Sequence, residues 1–167
     1  MKMAEERAMT KERLKLNLKD ADEIYSQISA ERRRLMREME REKTQEEEIR
    51  TFSVSHRSPD GMPRSAGSGQ DKFISILEKS RKASEERIRE IKRQIYEVET
   101  REIEMQHTFD ALHGLSGKDY DVLNEVYVNG KGVKYLWNGC SNGSACRRIQ
   151  KALSHMLNIY RSMFPDG

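Results

Sequence analysis

The chain has 167 residues, 35% of them charged and only 7% aromatic, with a formal net charge of +3. Its mean hydropathy of −0.91 is too low for one large globular core; it suits long helices that bury narrow seams beside one small domain. No run of about 18 apolar residues is present, which argues against a membrane-spanning helix, and residues 1–13 lack the apolar core of a secretory signal.

The first predicted element is a long helix over residues 10–50. Its apolar positions step by four and three: Leu14, Leu18, Ala21, Tyr25, Ile28, then Arg32, Leu35 and Met39. That spacing is a heptad seam with one charged interruption. Arg32, Arg33 and Arg34 form a basic cluster, but Glu31 and Glu38 balance it, and pairs at three and four residues support exposed helices. The pattern decays through Glu42, Glu46, Glu47 and Glu48, so fraying is expected before Thr51.

Residues 51–70 change composition to Gly, Pro and Ser, and Pro59-Asp60-Gly61 is a turn signal. The stretch reads as a mobile linker. Its Gly67-Ser68-Gly69 lacks the Lys-Ser/Thr and the preceding strand of a phosphate-binding loop.

A second long helix follows over residues 71–113. Ile74, Leu77, Arg81, Ser84, Ile88, Ile91, Ile95, Val98, Glu102, Met105, Phe109 and Leu112 step by three and four without a break. Such a seam must be covered by another helix. The first helix, returning through the linker, is the partner available in the same chain, which predicts an antiparallel coiled-coil hairpin. A second chain could serve instead, and a two-helix core is thin, so a homo-oligomer, a dimer at its simplest, is expected. Gly114 is placed as the C-cap and Ser116 as the next N-cap.

Residues 115–164 read as a small helical domain. Tyr120, Leu123, Val126 and Tyr127 give a short apolar face, Asn129-Gly130 turns, and Val133, Leu136 and Trp137 supply the buried side of a very short second helix. Gly139-Cys140-Ser141 turns again, with Ser141 capping a long last helix. Three helices, the last two joined by a tight turn, make a helix-turn-helix. Asn-Gly between residues 125–128 and 133–137 is also a β-hairpin signal, a rival reading that would give a β-wing there instead of two helices.

The last helix carries the charge. Between Glu125 and Asp166 there is no acidic residue, while Lys131, Lys134, Arg147, Arg148, Lys151 and Arg161 fall inside the window. At about 100° per residue, Ala145, Ile149, Ala152, Leu153, Met156 and Tyr160 form one apolar stripe. Ser144, Arg147, Arg148, Lys151 and His155 fall opposite. A buried stripe backed by Arg, Lys and small polar groups is what a major-groove reader needs; the plain alternative is the solvated face of an ordinary helix.

No active site is legible. Cys140, Cys146 and His155 lack a fourth ligand for structural zinc, and the two cysteines do not form a CxxC pair, so reduced thiols in a cytoplasm fit best. His107 and His113 have no cysteine or carboxylate constellation around them. No nucleophile elbow or triad pattern occurs. The chain is therefore expected not to be an enzyme and to use no cofactor or metal.

The run from Leu123 to Leu153, with Asn129-Gly130-Lys131, Cys140-Ser141 and Arg147, Arg148, Lys151, Ala152 and Leu153, resembles the region-4-type helix-turn-helix of sigma factors. That module recurs in small phage regulators of the ArpU and RinA kind and in a related phage family, which is similar upstream as well, including a Met-Pro and Gly/Ser loop like residues 62–69. The resemblance covers most of residues 10–160. It implies an all-α chain: a long antiparallel helical hairpin followed by a small helix-turn-helix domain, acting as a sequence-specific, non-catalytic transcriptional regulator in the bacterial cytoplasm. Double-stranded DNA is the implied partner, with host RNA polymerase as a second that the hairpin would contact if it does not set dimer geometry. The resemblance places Lys131, Ser141, Arg147, Arg148 and Lys151 at the DNA, and the acid-free window and the phase of the last helix add Lys134, Asn142 and Ser144 as DNA-binding residues. Two other functions fit the same elements: a DNA-binding small terminase subunit, and a structural coiled-coil protein whose C-terminal helices bind a protein.

Overall fold

The computed structural model describes residues 9–55, 68–134 and 141–165. Among these the chain is all-α, with five helices: α1 Lys11–Lys19, α2 Ala21–Ser55, α3 Ser68–His113, α4 Gly117–Leu123 and α5 Asn142–Met163. The long α2 and α3 form an antiparallel pair, and shorter helices follow. The chain divides into two compact units, one of Ser29–Glu99 and one that joins Met1–Ile28 to Thr100–Gly167.

In the Ser29–Glu99 unit, Leu35, Met39 and Ile91 form a small buried cluster, with Ile88, Ile95 and Val98 packed against it. Farther along α2, Glu42 accepts hydrogen bonds from Ser84 Oγ at 3.1 Å and Arg87 Nε at 2.8 Å. Contacts that climb α2 from 35 to 42 descend α3 from 91 to 84, so the pairing is antiparallel. The seam thins beyond that layer: Ile74 is 49% exposed. Outside the seam, Arg34 pairs with Glu31 and Glu38, and Arg93 with Glu90 and Glu97. The Arg93 guanidinium holds the Glu90 carboxyl down at about 2. Helix α2 runs on to Ser55 rather than fraying before Thr51, and the Thr51 hydroxyl donates back to the Glu47 carbonyl at 2.8 Å. No Gly or Pro interrupts α2. The predicted Pro59-Asp60-Gly61 turn lies outside the described residues.

The other unit is built differently from the single first helix that the seam predicts. The helix is interrupted at Asp20 (φ −107°, ψ 23°), and α1 stands as a separate element capped by Thr10, whose hydroxyl accepts from the Arg13 amide. Leu14 and Leu18 are fully buried, in the same cluster as Leu112, Leu123, Ala145, Leu153 and Met156. A heptad spacing states that a stripe must be covered, not by which partner, and here the cover comes from α5 and the turn before it. The other flank of α1 is fixed to α3. Arg13 makes a two-pronged ion pair with Glu104, its Nε at 2.6 Å, and Asn17 Nδ2 donates at 3.1 Å to both Glu104 and Thr108.

Helix α3 ends at Gly114, though not through the left-handed backbone that a glycine cap usually supplies. The glycines with positive φ among the described residues are Gly130 and Gly132. At Gly114 the need is for space, since a Cβ there would lie 3.1 Å from Ile159 Cγ2 of α5. Ser116 takes the N-cap position of α4, where its carbonyl, not its hydroxyl, accepts from the Asp119 and Tyr120 amides at 3.0 Å. Helix α4 then widens into one π turn, Asn124–Val128, closed by Asn129 N–H donating to Asn124 O at 2.8 Å. The first arm of the alternative β-wing is therefore helical. Gly130 (φ 64°) and Gly132 (φ 69°) turn the chain, as Asn129-Gly130 predicts. Val133 packs against the core. The roles expected of Leu136, Trp137 and Gly139-Cys140 lie outside the described residues. No helix among the described residues is long and apolar enough to cross a membrane.

Candidate functional site

The candidate surface is the outward side of α5. Ser141 starts the helix as expected: its Oγ accepts from Ser144 N–H at 3.4 Å, and its carbonyl accepts from Ser144 and Ala145 at 3.0 Å. The predicted stripe of Ala145, Ile149, Ala152, Leu153, Met156 and Tyr160 is buried, and Leu157 joins it. Fully burying a Leu or Met side chain contributes about 1.5–3 kcal/mol, so this stripe fixes the helix's rotation about its own axis. Once that rotation is fixed, Asn142, Cys146, Arg147, Arg148, Lys151 and His155 are exposed and Ser144 is half-buried.

The C-terminal end of α5 is anchored by rings. His107 stacks on Phe164 with centroids 3.5 Å apart, and Tyr160 meets both edge-on. Burial, with Glu104 nearby, pushes the Tyr160 hydroxyl above its ordinary range. At the N-terminal end, Arg147 Nε donates to Gly143 O at 3.3 Å and Cys146 Sγ lies 3.8 Å from Asn142 Oδ1.

The window without acids in sequence has acids beside it in space. Asp119, from the first turn of α4, lies 2.6 Å from His155 Nδ1. Glu125, in the π turn, lies 2.5 Å from Lys131 Nζ and accepts from Asn129 Nδ2 at 3.1 Å. The Lys131 ammonium, with Asn129, holds the Glu125 carboxyl below the usual range. Of the residues singled out in the sequence, Ser141, Asn142, Ser144, Arg147, Arg148 and Lys151 share the first three turns of α5 and its cap. Lys131 sits in the turn after Val128, tied to Glu125, and Lys134 is exposed at the end of that stretch.

Sequence reasoning missed the contribution of α1. Lys15 Nζ stands 5.9 Å from the centroid of the Tyr127 ring, within cation–π reach. Tyr127 is half-buried, and its hydroxyl is pushed up by burial and by the neighbouring Cys146 of α5. Lysines four apart at 11, 15 and 19 were visible in the sequence; that Lys15 stands over Tyr127 of the π turn was not.

The surface offers guanidinium, ammonium, amide and hydroxyl groups on a rigid helix, a set that binds anions and hydrogen-bonds base edges. Among the described residues, no three His, Cys, Asp or Glu side chains converge to hold a metal ion. Comparison of the chain with protein-family models, with curated proteins and with solved structures gives no match.

Proposed function

We propose that the chain is a non-catalytic regulator of the phage type that binds double-stranded DNA, with residues 115–164 working as a sigma-region-4-like helix-turn-helix and α5 as its recognition helix. The observation that supports this most is the division of α5 into a fully buried apolar side and an exposed side bearing Asn142, Arg147, Arg148 and Lys151. In that role Arg148 and Lys151 hold phosphates, Arg147 reaches a guanine edge, and Asn142 and Ser144 approach bases from the helix start. The α2/α3 hairpin sets the spacing of two copies or meets host RNA polymerase, in the bacterial cytoplasm.

The thin Leu35, Met39 and Ile91 cluster favours self-association, and a small terminase subunit would use the same parts in a ring. Salt-titrated binding of the full chain to duplex DNA, with the oligomeric mass measured in solution, tests the proposal. Binding that weakens steeply with salt, by a dimer, is the expected result. A ring favours the packaging role. A folded chain that ignores duplex DNA at low salt overturns both and leaves a protein-binding coiled coil.

A further inference from the structure

Helix α1 has three sides. Leu14, Asn17 and Leu18 are buried, and Arg13 is engaged with Glu104 of α3. Taking Lys15 as the reference at about 100° per residue, Lys11 and Lys19 lie about 40° to either side of it. They form one row on the flank away from Arg13. Lys15 and Lys19 are exposed and Lys11 is half-buried. Glu12 lies beside the row and offsets one of its three charges.

The flank is located by contact. Lys15 stands 5.9 Å from the centroid of the Tyr127 ring, in the π turn that precedes α5 in the chain. On α5, Cys146 and Gln150 lie at the edge of the exposed side, next to Arg147. Helix α1 itself packs on α5 and on the π turn. Two acids lie beside this surface: Asp119 at the α4 edge with His155, and Glu125 in the π turn, where Lys131 pairs with it. With Glu125 paired, the lysine row of α1 carries the charge on the side of α5 away from Asp119.

We propose that Lys11, Lys15 and Lys19 of α1 form, with Arg147, Arg148 and Lys151 of α5, one phosphate-binding surface for duplex DNA, with α1 holding the backbone beside the groove that α5 enters. This rests on α5 being the DNA-reading helix and adds a second element to it. A backbone clamp carries no sequence information but fixes how the reading helix is oriented. The full interface would then need the N-terminal segment as well as the C-terminal domain.

The test uses the full chain and a labelled mixed-sequence duplex, titrated across salt. Three triple variants are compared: Lys11→Gln/Lys15→Gln/Lys19→Gln, Arg147→Ala/Arg148→Ala/Lys151→Ala, and a control in the Ser29–Glu99 unit, Lys79→Gln/Lys82→Gln/Arg89→Gln. Removing one cation from a phosphate lowers the logarithmic salt slope by about one unit. The α1 variant is expected to lose about two to three units of slope and at least about ten-fold in affinity. The control should bind as the unchanged chain does, and replacing the three α1 lysines with Arg should restore binding. An α1 variant that matches the unchanged chain while the α5 variant loses binding overturns this inference and leaves the function of α5 standing. Loss in the control equal to that in the α1 variant also overturns it. No duplex binding by the unchanged chain overturns both proposals.

Discussion

Asn17 and Thr108, 91 residues apart in the chain, are hydrogen-bonded at 3.1 Å in the interior. Asn17 is 7% exposed and Thr108 fully buried. The Thr108 hydroxyl donates to the Glu104 carbonyl at 2.9 Å, while Asn17 Nδ2 also donates to the Glu104 carboxylate. Each partner keeps its bond to Glu104, so removing one side loses one buried hydrogen bond, worth about 0.5–1.5 kcal/mol. Thr108→Val and Asn17→Ala should each lower the unfolding free energy by that amount, read as a lower urea midpoint with the slope of the transition unchanged. A midpoint unmoved in both would show that the linkage contributes nothing.

The same linkage defines how far the C-terminal unit extends. Leu14 and Leu18 fill its core, so a fragment of residues 115–167 alone lacks part of that core. Such a fragment should unfold without a cooperative transition, and joining residues 9–28 and 100–114 to it should restore one. A sharp two-state melt of the short fragment would contradict the assignment of α1 to this core.

Features with a short repeat length were legible in the sequence. The buried stripe of α5 follows from helical phase, and Ser141 as its cap follows from the polar residue just ahead of that stripe. The antiparallel α2/α3 pair follows from two seams and a Gly/Pro/Ser stretch between them. Features set by which surfaces meet were not legible. The seam through Leu14, Leu18, Ala21 and Ile28 is unbroken in sequence, yet Leu14 and Leu18 belong with α5. Asp119 with His155, and Lys15 with Tyr127, join residues 36 and 112 positions apart, beyond any local pattern. The π turn at Asn124–Val128 depends on a carbonyl accepting from five residues on, which no residue type there demands.

The Ser29–Glu99 unit depends on few side chains. Ile91 is 7% exposed and lies with Leu35 and Met39. Ile91→Asp would place a charge without a partner in that cluster, at a cost of several kcal/mol. Far-ultraviolet circular dichroism of this variant should show loss of α2 and α3 helicity and a lower melting temperature. Unchanged helicity and melting would mean that the cluster is dispensable.

Glu125 gives a pH signature for the turn that carries Lys131. Its carboxyl is depressed, first by the hydrogen bond from Lys131. A carboxylate whose folded value lies below its unfolded one stabilises the fold above the unfolded value, about 4.3, and loses that contribution as pH falls through the folded value. Lys131→Gln should move the Glu125 titration upward, toward the ordinary carboxylate range, and shift the acid limb of the stability curve to higher pH. Carboxyl-resolved NMR titration of both proteins checks this. An unchanged Glu125 midpoint would mean that Lys131 does not hold it in solution.

Asp119 supplies the sharpest check on the proposed DNA surface, because it predicts a gain. Its carboxylate lies 2.6 Å from His155 Nδ1, beside the row that His155 continues from Arg148 and Lys151. A phosphate approaching that row meets Asp119 as a like charge. Asp119→Asn keeps a hydrogen-bonding group for His155 and removes the repulsion. The fold should lose only about 0.3–1 kcal/mol, the value of an acid in the first turn of a helix. Duplex binding by the full chain should tighten about two- to five-fold at low salt, and the gain should shrink as salt screens the charge. In the same assay Arg148→Ala and Lys151→Ala should each weaken binding to all sequences. Arg147→Ala should relax preference at one base pair, at about 1–3 kcal/mol. If Asp119→Asn leaves affinity unchanged at every salt concentration while Arg148→Ala weakens it, DNA approaches α5 from the side away from α4. If neither substitution matters, α5 is not the helix that meets DNA.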